Sequence, residues 1–71
     1  MISMSDIVTV CQFAIRQQPT HIHHTIVLSI VFGMNAAGLI DRSQEDEFMR
    51  WIGIHKTVEE ALNNMVLHGV Q

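Results

Sequence analysis

Thr20–Ala37 reads THIHHTIVLSIVFGMNAA, and from Ile22 onward nearly every position is apolar or small. The stretch predicts a helix. Steps of four from His21 give Thr25, Ser29, Gly33 and Ala37, a stripe of small side chains down one side. Ile22, Ile26 and Ile30 form one shoulder, Leu28 and Phe32 the other, and Val27 and Val31 lie behind. A helix apolar all round must be covered all round, in a large core, a membrane or an oligomer. Ridges four residues apart interdigitate in the commonest crossed helix pair, and small side chains let the axes approach to the low end of ~8 to 10 Å. The expectation is a long, apolar central helix that self-associates through Thr25, Ser29, Gly33 and Ala37, with Ile22, Ile26, Ile30 and Phe32 around them.

Composition points the same way. The chain has 71 residues, enough for one domain over 1–71, and a domain of roughly this size buries only about 60% of the surface its unfolded chain exposes. Yet 48% of the residues are hydrophobic and only 15% charged, against roughly 25% charged in typical soluble domains. More apolar surface is present than one small globule hides easily, so a homo-oligomer, a dimer or larger, is expected. The single Cys11 excludes an intrachain disulfide and fits a reducing compartment. The formal charge is -3, and Arg16, Arg42, Arg50 and Lys56 are scattered, which argues against direct nucleic-acid binding, since phosphate contact needs a clustered basic face. The amino end has no basic region before an apolar core, so a cytoplasmic protein is expected.

Three more helices flank the central one. Asp6–Gln18 places Ile7, Val8, Val10, Cys11, Ala14 and Ile15 on one arc, with Ser5 as the expected cap and Pro19 as the stop; the first four residues are expected to fray. The central helix starts from Thr20 and ends at Gly38, which suits the left-handed position beyond a helix, with Leu39 folding back towards Met34. Ser43, with Asp46 three residues on, caps a third helix whose apolar side is Phe48, Met49, Trp51 and Ile52 and which Gly53 ends. Thr57 and Glu60 make a capping box for the last, which carries Val58, Ala61, Leu62, Met65 and Val66 and closes at Gly69. The predicted fold class is all-α: a small bundle of about four helices around the central one.

No residue set assembles a catalyst. Cys11 lies on the apolar arc of its helix, with no histidine at helical spacing to act as its base, and reads as a buried thiol. His21 and His24 could face one ion, and His23 sits between them, but no cysteine or carboxylate in the same turn completes a ligand set. No metal and no cofactor is expected, and the three histidines read as a helix start at an interface rim. His55 and His68 read as isolated surface residues. Glu45, Asp46 and Glu47 suit the positive end of a helix dipole, and Glu45 and Glu47 with Trp51 are candidates for meeting a partner protein. The central helix, turn and third helix have the outline of a helix-turn-helix, but the amino end that would meet DNA is SQEDE, which phosphate repels.

The apolar helix, then AAGLID, then the acid-rich amphipathic SQEDEFMRWI resembles small prophage-encoded helical regulators, including antirepressors that bind and disable a phage repressor. The resemblance covers Ile26–Ile52. It implies a non-enzymatic, oligomeric protein that occludes another protein, a DNA-binding repressor, and it transfers no catalytic residue. The alternative is a small membrane-active protein inserting Thr25–Ile40. That run is shorter than the ~20 apolar residues of a spanning helix, contains Asn35 and lacks flanking Lys or Arg.

Overall fold

The structure, a computed structural model, describes residues 1–71. It contains four α-helices and no strand: α1 Met4–Ile15, α2 His23–Ala36, α3 Arg42–Ile54 and α4 Val58–Leu67, with one 3₁₀ turn, Thr20–Ile22, leading into α2. The expected all-α bundle is present.

One helix start is set by the predicted side chain, Thr57, and two by neighbours of those predicted. Ser3, not Ser5, caps α1: its hydroxyl accepts from the Asp6 N–H at 3.1 Å while the Asp6 carboxylate accepts from the Ser3 N–H at 3.3 Å. Two backbone donors are satisfied reciprocally, an arrangement Ser5 lacks. Likewise Asp41, not Ser43, caps α3, because Gln44 stands three residues on and returns the bond to the Asp41 N–H at 3.0 Å. Thr57 caps α4 by accepting from the Glu60 N–H at 3.1 Å. Thr20 does not cap α2 directly; it opens the 3₁₀ turn, in which the Ile22 N–H donates to the Pro19 carbonyl. Gly53 lies inside α3, which continues to Ile54 before His55 turns extended.

Gly38 and Gly69 end their helices as predicted. Their φ angles are +76° and +64°. At the first stop the Leu39 N–H reaches the Met34 carbonyl at 2.9 Å and the Gly38 N–H that of Asn35 at 3.0 Å; at the second, Val70 reaches Met65 at 3.2 Å and Gly69 reaches Val66 at 3.1 Å. Each stop is a Schellman motif, which satisfies carbonyls the helix leaves free.

The core is where the reading of the sequence needs its largest correction. Fourteen apolar residues are buried, of which α1 supplies Met4, Ile7, Val8, Cys11 and Ile15, and α4 supplies Val58, Ala61, Leu62 and Met65. The apolar α2 supplies only Val27 and Val31. Most of the fully buried side chains thus come from α1 and α4, Phe48 and Ile52 of α3 close over them, and α2 lies along α1 with Ile26, Ile30 and Met34 half-buried against the core. Physically, α1 and α4 present apolar stripes at helical spacing that point one way, whereas α2 is apolar in every direction and can offer only one of them. Val10, predicted on the apolar arc of α1, is instead 43% exposed.

The chain termini are tied to this core. The amino end does not fray: Ile2 donates to the Leu39 carbonyl at 2.9 Å and accepts from the Gln44 amide at 2.7 Å, and the Met4 N–H meets the Gln71 carbonyl at 2.7 Å. The radius of gyration is 11.0 Å, close to the roughly 11 Å of a folded chain this long. No helix is long and apolar enough to cross a membrane.

Candidate interaction surface

Because only one side of α2 meets the core, its opposite side faces outward. At about 3.6 residues per turn, Thr25, Leu28, Ser29, Phe32, Gly33 and Ala36 share that outward face, opposite the stripe of His23, Val27 and Val31. None of the six is charged. Thr25, Ser29, Gly33 and Ala37, the predicted small stripe, are all exposed, and Phe32 is 50% exposed beside them. A Cβ added at Gly33 would meet nothing within 4 Å. Ile22, Ile26 and Ile30 are half-buried on the shoulder towards the core, against which Ile26 and Ile30 pack. The structure therefore gathers Thr25, Ser29 and Gly33 with Phe32 on one open face, leaves Ala37 beyond the end of α2, and packs Ile26 and Ile30 against the core.

The partner-facing residues proposed on α3 separate. Glu45 and Glu47 are two apart on a helix and project to different sides, whereas Glu47 and Trp51 are one turn apart and line one shallow cleft of about 280 Å³ with Arg50 and Ile54. Trp51 is half-buried, packs against the core, and has His55 stacked on it at 6.1 Å with planes 10° apart. His68 approaches the same ring at 5.6 Å with planes 38° apart. His55 and His68, expected to be isolated at the surface, are therefore two sides of an aromatic cluster joining the carboxyl ends of α3 and α4. Ile54 and Leu67 stand 73% and 79% exposed on these helix ends.

The histidine run does not form one site. His23 is buried, its Nε2–H donating to the Gln18 carbonyl at 2.8 Å and its Nδ1 lying 3.8 Å from Glu59 Oε1. His24 lines a separate cleft beside His55, and His21 is exposed. The rim position expected for His23 is corrected: it is the one buried polar residue of the chain. Cys11 is buried in the core, and loss of hydration pushes its thiol up from 9.0 to about 12.

Sequence reasoning misses two features. His23 as a core residue is not legible from the apolar pattern around it, since its partners are the Gln18 carbonyl beyond α1 and Glu59 of α4. The exposed ring of Phe13, covered by the Arg16 guanidinium at 5.2 Å, was readable as an i, i+3 pair on one helix face. No protein-family model, curated protein or solved structure matches the chain.

Proposed function

We propose that this protein self-associates through the outward face of α2 and acts by binding and occluding another protein, in the manner of the small antirepressors its central segment resembles. A single observation carries the first half: the face of α2 opposite the core bears no charged side chain, exposes Phe32 to 50% and leaves Gly33 open. Helices that end in water ordinarily place charged and polar residues on that side. A large ring among Thr25, Ser29, Gly33 and Ala36 is self-complementary, since a two-fold pairing lets Phe32 of each copy enter the small-residue groove of the other. The second half rests on Trp51 with Glu47, Arg50 and Ile54, an aromatic anchor with charged neighbours on the far helix, the residue chemistry that dominates binding energies at protein interfaces. Glu45, on another side of α3, would extend that contact only to a partner that wraps the helix.

Sedimentation without detergent over a wide concentration range tests self-association. The expected result is a stable multiple of 8.1 kDa. A monomer at every concentration would overturn it. For the partner, affinity capture is run beside Trp51→Ala. A DNA-binding regulator held by the parent chain and lost with the variant is expected; equal capture by both removes Trp51 from the contact.

A further inference from the structure

Between the 3₁₀ turn that leads into α2 and the loop joining α3 to α4 lies a cleft of about 170 Å³. Its polar wall is Thr20, His24, His55, Lys56 and Thr57, and no carboxylate lines it. That is unexpected in a chain of net charge -3 with four Lys and Arg in all. A second cleft nearby, where Arg16 and His23 face Glu59, has the ordinary mixture of signs.

Three independent features give the basic cleft its character. His55 Nε2 is buried without a hydrogen-bond partner, while the ring is held by its stack on Trp51. Such a ring nitrogen has hydrogen-bonding capacity that nothing within the chain uses. Lys56 forms no ion pair, the chain's one such contact being His23 with Glu59. The Thr57 hydroxyl accepts from the Glu60 N–H, so its own proton is available to an acceptor in the cleft.

We propose that this cleft is a binding site for a small tetrahedral oxyanion of the phosphate type, either the free ion or the phosphoryl group of a larger molecule. Lys56 supplies the fixed charge, His24 and His55 supply ring N–H donors, and Thr20 and Thr57 supply hydroxyls. A metal ion does not suit this set, because the Lys56 ammonium repels it and two imidazoles without a thiolate or carboxylate leave its coordination short.

The test is a titration followed by amide chemical shifts, with inorganic phosphate and, separately, glycerol 3-phosphate. Saturable shifts confined to His24, Lys56, Thr57 and Val58 and their neighbours are expected. Lys56→Gln, an exposed loop change, removes one charge-assisted bond and should weaken binding about tenfold, while Arg42→Gln outside the cleft leaves it unchanged. Tighter binding of glycerol 3-phosphate assigns the site to a phosphorylated molecule, and equal binding assigns it to the free ion; both support the site. His55→Phe keeps the stack on Trp51 without the ring nitrogens, so phosphate should raise the melting temperature of the parent chain and not of this variant. Shifts that never saturate, or equal affinity in Lys56→Gln, overturn the proposal.

Discussion

His23 Nε2 lies 2.8 Å from the carbonyl oxygen of Gln18, so an imidazole on the first turn of α2 closes the connection that follows α1. Gln18 is the third residue past α1, and its carbonyl has no helical partner to return to. The histidine therefore satisfies a backbone acceptor and fills core volume with one side chain. His23→Ala should lower the unfolding free energy by ~1 to 3 kcal/mol, the cost of leaving a polar group without its partner. Glu59→Gln should change it by less than about 1 kcal/mol, since that carboxylate is 63% exposed and 3.8 Å away. Urea denaturation of the two variants reads both values; equal loss in the two would mean that the ion pair, not the carbonyl bond, holds the turn.

Burial of Cys11 makes a prediction with a definite sign. Its thiol ionises near 9.0 when hydrated and at about 12 in the fold, so between those values the unfolded chain has lost a proton that the folded chain keeps. Stability is then fully present below pH ~9 and declines above it, with a limiting slope of ~1.4 kcal/mol per pH unit from this group. Cys11→Ala should flatten that decline. At pH 8 the native thiol should also resist alkylation until denaturant is added, and prompt labelling of the folded chain would show that the core around α1 opens readily.

Gly38 and Gly53 respond oppositely to the same substitution. Gly38 has φ +76°, where a side chain is strained even though a Cβ there meets nothing within 4 Å. Gly38→Ala should cost ~1 to 2 kcal/mol through the left-handed backbone alone. Gly53 is helical and equally open, so Gly53→Ala should stabilise by ~0.5 to 1 kcal/mol. Thermal melts that moved in the same direction for both would remove the conformational explanation of the α2 stop.

These glycines also mark what the sequence discloses. A left-handed stop has a local cause, so Gly38 and Gly69 are readable in place. Helix starts are less so, because Ser3 competes with Ser5 and Asp41 with Ser43 within two residues, and the outcome depends on which has a reciprocating Asp6 or Gln44 three positions on. The buried stripes of α1 and α4 follow helical spacing and are legible. In α2 the apolar residues run through every phase, so spacing cannot say that Val27 and Val31 turn inward and Phe32 outward; the other three helices decide it. The stack of His55 on Trp51 was available as an i, i+4 pair, but His68 joins it only when α3 and α4 close.

Gly33→Leu separates a solvent face from an interface by the sign of its effect. Within one chain the position is helical and open, so exchanging glycine for a good helix former should stabilise an isolated copy by ~0.5 to 1 kcal/mol. At a tight crossing of two α2 helices the same side chain has no room, and overpacking costs ~1 to 3 kcal/mol per copy. The proposed assembly therefore requires Gly33→Leu to lower the sedimenting mass, while leaving the helical circular dichroism of the dissociated chain intact. Phe32→Ala should act in the same direction by withdrawing the ring from the partner's groove. If Gly33→Leu raises the melting temperature and leaves the mass as it was, the outward face of α2 meets water and self-association must be sought on another surface or given up.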